Sequence, residues 1–245
     1  MAIIPTGAMF KSLEFDGVDS RNYGVYITGE SSFNAPERAV EMVSIPGRNG
    51  ALIMDQGRYE NITVSYPASM CADNEADFAQ NLADFRNAIV SRRGYCRLTD
   101  EYNPNEYRLA LYREGLEVDK KHLTAGEFDI VFDCKPQRFL TSGETKQTFT
   151  ADGTIDNPTL FEAQPIITVT GNGTLTINGV AMVIGGSSNT VIDCELMECY
   201  DGAVSKNSDV IMTPNVFPTL SPGSNTIDLT AGLTKVEIVP RWWQL

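Results

Sequence analysis

The sequence predicts a mainly β protein built as two domains, residues 1–138 with a single helix and residues 139–245 with none. Three observations carry this reading. Apolar and polar residues alternate with a period of two along most apolar stretches. One window alone changes to a helical period. Composition also breaks part way along: the first 138 residues hold 11 of the 12 arginines and 5 threonines, whereas the rest holds one arginine and 16 threonines. The seam is expected between Lys135 and Phe139, with Pro136 ending the strand before it.

Along the chain, Ser44 to Gly50 reads SIPGRNG. A proline and two glycines around Arg48 and Asn49, between strand-forming stretches, predict a rigid exposed turn, whose plainest role is to connect a long hairpin. From Arg58 to Tyr66, the residues Ile62, Val64 and Tyr66 alternate with Asn61, Thr63 and Ser65, so one strand is expected with a face on the core. Asn74 to Arg93 changes period. Phe78, Leu82, Phe85 and Ile89 fall on one helical stripe, Asn74 is a suitable N-cap, and Gly94 suits a left-handed C-terminal position. Phe128, Ile130 and Phe132 then resume the two-residue alternation.

The second domain reads as all β. Asn178-Gly179 between Leu175/Ile177 and Val180/Met182/Ile184 is a strong hairpin signal. Further strands are expected at Ile166–Thr170, Val191–Met197, Val210–Thr213, Thr226–Leu229 and Lys235–Val239. Short strands broken by Gly, Asn and Pro imply a sandwich or barrel.

Charge and composition exclude several functions. The chain of 245 residues has 19 Lys and Arg against 32 Asp and Glu, a net charge of −13. Both halves are acidic, so the clustered cations that drive phosphate-backbone binding are missing and sequence-specific nucleic-acid binding is not expected. No stretch approaches the ~18 apolar residues of a membrane span, so no membrane insertion is expected. The first ten residues are apolar but include Pro5, lack a preceding basic residue and lack a small-residue cleavage site, so synthesis in a cytoplasm is expected. The five cysteines, Cys71, Cys96, Cys134, Cys194 and Cys199, fit no zinc spacing and read as reduced, mostly buried thiols.

Candidate chemistry is sparse. The one histidine, His122, follows two lysines in what reads as a solvated turn and has no nucleophile pattern beside it. Asp73, Glu75 and Asp77 cap a helix, and Asp100/Glu101 sit beside a loop. Asp152 to Asp156 reads as a β-turn in preference to a calcium loop, which needs a later bidentate Glu. No catalytic, cofactor or metal site is therefore expected, and the chain is not expected to be an enzyme. The terminus, Pro240-Arg241-Trp242-Trp243-Gln244-Leu245, holds both tryptophans. Large aromatics at an end are docked in the chain's own core, offered to a partner, or stacked on sugar.

The order and spacing of these signatures resemble the siphophage distal tail proteins, the Dit family of phages and prophages of Gram-positive bacteria. The resemblance rests on Phe15-Asp16-Gly17 through Tyr23–Ile27, the SIPGRNG turn, the capped helix before Tyr95–Leu98, and Phe132–Phe139. In the second half it rests on Asn157–Glu162, the Ile177-Asn178-Gly179 hairpin, Ile192–Glu195 and Pro240-Arg241-Trp242. It implies a tail-tube-like N-terminal β-sandwich with one α-helix over residues 1–138 and a galectin-like C-terminal β-sandwich over residues 139–245.

It also implies a virion structural role at the tail tip: a homo-hexameric ring joining the tail tube protein to a baseplate, hub or tail-fibre adhesion device. A receptor-binding protein is a further implied partner. The turn residues Pro46, Gly47, Arg48, Asn49 and Gly50 are the candidate inter-subunit contact, because a head-to-tail ring needs surfaces that reach a neighbour. The alternative is a galectin-like carbohydrate-binding protein contacting host surface glycans. Residues 139–245 hold no histidine and only Arg241 with which to make a galectin's usual sugar contacts.

Overall fold

The computed structural model describes residues 10–29, 34–185 and 189–245. The apolar stretch read above for a secretory signal lies, apart from Phe10, outside them. The chain divides into two compact units, Met1–Arg138 with Leu245, and Phe139–Gln244. No helix among the described residues is long and apolar enough to cross a membrane.

In the first unit the elements are β1 (Leu13–Phe15), β2 (Val18–Asp19), β3 (Val25–Ile27), β4 (Arg38–Ser44), β5 (Ala51–Tyr59), β6 (Ile62–Cys71), α1 (Glu75–Val90), β7 (Cys96–Asp100), β8 (Glu106–Leu111), β9 (Asp119–His122) and β10 (Ala125–Leu140). One sheet runs β2-β1-β7-β8-β10-β6-β3, with β9 also paired to β10. A bridge between Lys11 and Ile27 links its two ends, the Ile27 amide donating to the Lys11 carbonyl at 2.9 Å, so the sheet curls over its own core.

The alternation read from the sequence fills that core. Ile62, Val64, Tyr66, Ala68 and Met70 on β6 meet Phe128, Ile130, Phe132 and Cys134 on β10, since alternate residues share a face. Phe132 is its centre, with ring centroids of Phe15, Tyr112 and Tyr66 at 5.0, 5.7 and 6.2 Å. Helix α1 adds Phe78, Phe85 and Ile89, with Leu82 only half-buried. The Asn74 side chain accepts from the Asp77 amide at 2.9 Å and starts the helix.

Three local expectations are corrected. The helix ends at Val90, before Arg93, because the Ser91 and Arg92 amides close a last turn on the Asn87 and Ile89 carbonyls; Gly94, at φ 75°, bends the chain after the helix instead of capping it. The strand expected over 58–66 is two strands, because the Glu60 amide turns to the Glu37 carbonyl at 2.8 Å and ends β5. Pro136 does not end β10. The partner strand β6 starts at Ile62, opposite Cys134, so beyond that point a missing N–H costs no bond on that side.

The second unit contains β11 (Gln147–Phe149), β12 (Gly153–Asn157), β13 (Ile166–Gly171), β14 (Gly173–Ile177), β15 (Val180–Ile184), β16 (Thr190–Asp193), β17 (Glu198–Asp201), β18 (Val204–Ser205), β19 (Val210–Thr213), β20 (Gly223–Leu229) and β21 (Leu233–Val239). Two sheets, β11-β21-β13-β16-β17-β18 and β12-β20-β14-β15-β19, form a sandwich. Ile167, Val169, Ile192, Val236 and Ile238 on one sheet face Leu175, Ile177, Met182, Ile184 and Ile227 on the other. Asn178 and Gly179 both take positive φ, 49° and 84°, as a two-residue hairpin of the favoured twist requires.

Here too the sequence reading is corrected twice. The strand expected over Val191–Met197 stops at Asp193, whose carboxylate accepts the Glu195 and Leu196 amides at 3.0 and 3.2 Å and turns the chain. Asp152–Asp156 is not a turn: Gly153 onward is β12, paired along its length with β20.

The five thiols are free, with Cys71 exposed, Cys96 half-buried and Cys134, Cys194 and Cys199 buried. Burial pushes Cys194 up to about 12, helped by the Asp193 charge, and burial pushes Cys199 up to about 11. A raised thiol pKa keeps the proton in the folded state when the unfolded chain has lost it. Cys194 therefore contributes stability that is intact below about pH 9 and declines toward pH 12, by up to about 1.4 kcal/mol per pH unit. At pH 8 a thiol reagent is expected to label Cys71 fast and Cys96 slowly, with the other three released only by urea. The alkaline fall in the urea midpoint should flatten in Cys194→Ala. Fast labelling of the buried thiols in native protein would contradict this packing.

Candidate functional site

Strands β4 and β5 pair only with each other among the described residues. Their register runs from Arg38↔Tyr59 to Ser44↔Ala51, with an irregularity between Arg38 and Val40. The ribbon carries the SIPGRNG turn at its tip. Pro46 and Gly47 are the central residues of a type II turn: Gly47 takes φ 81°, and the Arg48 amide donates to the Ile45 carbonyl at 3.1 Å. Gly50, at φ 80°, returns the chain into β5. Pro46, Gly47, Arg48, Asn49 and Gly50 are all exposed. Arg48 has no ion-pair or hydrogen-bond partner for its side chain among the described residues.

Sequence reading singled out the tip and missed the body of the ribbon. Cross-strand neighbours share a face, so Val40, Met42, Ala51 and Ile53 lie on one side and Val43, Leu52 and Met54 on the other. Both faces are mainly apolar, with Asp55 beside Val40 on one and Glu41 beside Met54 on the other, and neither is covered among the described residues: Met42 is 60% exposed, Ile53 61% and Met54 52%. The signal was present in the consecutive apolar runs Met42-Val43 and Leu52-Ile53-Met54, which mark a strand buried on both sides. An isolated two-stranded hairpin is marginally stable in water. This one is fixed at its base, where Ala39 is buried and the Glu60 amide reaches the Glu37 carbonyl. Arg38 also pairs there with Asp55. That guanidinium, together with the Gly57 amide, holds the Asp55 carboxyl below the usual carboxylate range.

Arg241, Trp242 and the Trp243 ring of the C-terminal motif are occupied within the second unit. Trp242 is 3% exposed in the sandwich core. Its carbonyl accepts the Leu140 amide at 2.8 Å, and the Arg241 amide donates to the Gly143 carbonyl at 2.8 Å. A methyl group on Gly143 would overlap the Trp242 amide nitrogen, which is why glycine stands there. Arg241, held at φ 61°, forks onto buried Asp193 at 2.9 and 3.2 Å. Trp243 stacks on Phe161 at 4.4 Å and donates from Nε1 to the Glu162 carbonyl at 2.9 Å.

The remaining candidates have structural partners. His122 is exposed on strand β9, not in a turn, with Nδ1 3.4 Å from Thr124 Oγ1. Glu75 pairs with Lys120 at 2.8 Å. Asp100 accepts the Tyr66 hydroxyl at 3.1 Å and the Tyr102 and Asn103 amides at 2.8 and 2.9 Å. Glu101 pairs with Arg21 at 2.6 Å. Among the described residues no group of His, Cys, Asp and Glu is arranged to hold a metal ion.

Residues 18–134, which include the hairpin, match the family profile of the phage tail protein RIFT-related domain. No curated protein matches the chain. Among solved structures the fold is similar to SPP1 Dit (gp 19.1), described as a paradigm of the hub adsorption apparatus in phages infecting Gram-positive hosts. The TM-score is 0.71 at 15% identity, over 96% of this chain and 99% of that one. It is also similar to a chain of the phage P2 baseplate in its activated conformation with Ca, with a TM-score of 0.50 at 12% identity, over 94% and 97% of the two chains.

Proposed function

We propose that this phage tail protein, Dit-like in fold over nearly its whole length, is one segment of a closed ring, a homo-hexamer at the tail tip. The ring joins the distal end of the tail tube to a baseplate, hub or fibre protein. One observation carries this reading: the β4–β5 ribbon is mainly apolar on both faces and, among the described residues, is open along both edges and uncovered. A surface of that kind is an aggregation hazard unless a partner covers it. In a head-to-tail assembly each copy presents its ribbon to the next, and the interface closes when the rotation returns to the start. The Pro46–Gly50 tip reaches furthest from the base of the ribbon and is the proposed inter-subunit contact.

The acidic balance suits the same role, because a lumen that repels phosphate lets DNA pass without adhering. The partners proposed are the tail tube protein on one side and the hub or fibre protein on the other, with assembly in the bacterial cytoplasm. The glycan alternative draws no support from the terminus, where Trp242 is buried and Trp243 is stacked on Phe161.

Negative-stain electron microscopy and mass photometry test the reading, on the protein alone and co-expressed with the neighbouring tail components. Closed particles of about six copies are expected in at least one condition. Monomers under both conditions, or open filaments, would overturn it.

A further inference from the structure

The outer face of β6 and β10 carries a groove of about 980 Å³, bounded by the Gly115–Asp119 segment and by Thr28. Its lining includes five carboxylates and no cation. Two share a single cation, since Lys121 pairs with Asp119 and lies 3.7 Å from Glu127. The other three, Glu114, Glu117 and Asp129, are exposed and have no ion-pair partner among the described residues. Pro67, Val118 and Val131 add apolar surface between them. The groove thus joins apolar surface to an uncompensated negative charge.

The hairpin tip has the complementary character. Between Ser44 and Gly50 the only charged side chain is the unpartnered Arg48, and it is flanked by Ile45, Pro46 and the apolar ribbon. We infer that this groove receives the Arg48 tip from a second copy of this chain. Arginine is the cation suited to the task, because its planar fork can bond one carboxylate with two parallel N–H groups while remaining close to a second. The contact is heterologous, tip to groove, and so leaves each copy with one free tip and one free groove, as a ring requires. The inference rests on the ring reading and adds the surface on which the tip lands.

Two measurements separate the inference from its premise. In a Cys71→Ser background, Asn49→Cys and Glu117→Cys are introduced together, and assembled protein is oxidised with copper phenanthroline. A ladder of inter-chain disulfides is expected, lost when the sample is diluted to monomers before oxidation. Independently, Arg48→Glu is expected to raise the concentration needed for assembly about tenfold or more, with an unchanged thermal unfolding midpoint. Adding Glu117→Arg and Asp129→Arg in the same chain is expected to restore much of the loss. Normal rings in Arg48→Glu, or an assembled Asn49→Cys/Glu117→Cys chain that gives no inter-chain disulfide, would sink the groove assignment and leave the ring standing. A chain that stays monomeric alone and with its tail partners sinks both.

Discussion

Trp242→Ala is expected to lower the stability of the second unit by about 3–5 kcal/mol, the range for removing a large buried aromatic. The side chain is 3% exposed and belongs to the core cluster formed by both sheets of the sandwich, so the cavity left behind has rigid walls on two sides and collapses poorly. The backbone on each side is also committed. The Arg241 amide, the Trp242 carbonyl and the Arg241–Asp193 fork all bind the last strand's exit to the rest of the unit. In urea the midpoint should drop by about 2 M. Trp243→Ala is expected to cost less, about 1 kcal/mol beyond its lost area, because it loses one stacked ring at the surface. Urea unfolding followed by far-UV circular dichroism measures both. Equal and small losses, together with weakened binding to a tail component, would make the terminus a partner-docking element instead.

The second large effect is on assembly and leaves the fold alone. Met42→Asp with Ile53→Asp places two carboxylates opposite each other on one face of the ribbon. Both residues are about 60% exposed in the single chain, so the monomer gives up little buried area. In the proposed ring the same face would be buried, and each charge would have to be desolvated with no partner, at several kcal/mol apiece. Assembly is expected to weaken by about a hundredfold or more, with the circular dichroism spectrum and unfolding midpoint unchanged within about 2 °C. Sedimentation velocity over a concentration series reads the first quantity and thermal unfolding the second. Normal assembly by a folded double variant would remove the ribbon from the interface.

Much of the fold was legible in the sequence because it rests on local patterns. The period-two runs of β6 and β10, the helical stripe from Phe78 to Ile89 and the Asn178-Gly179 turn are properties of neighbours in the chain. Each reports which face is apolar or which φ the backbone must take. The readings failed where a side-chain hydrogen bond or the reach of a partner strand overrode composition. Val191–Met197 has strand composition, yet the Asp193 carboxylate captures two amides and bends it. Pro136 should break a strand, but the ladder it would disrupt has already ended on that side.

By itself, then, the sequence determined a mainly β chain with one helix, a break in composition near residue 138 and a turn at residues 46–50. Tertiary structure alone decided that this turn tips a ribbon whose two mainly apolar faces are bare among the described residues, that both terminal tryptophans are occupied, and that three carboxylates without an ion-pair partner among the described residues share a groove. The reason is that periodicity reports how residues alternate along a strand, whereas burial depends on which strands come to cover it. Nothing in the order of residues 38–59 says that no other described strand pairs with them.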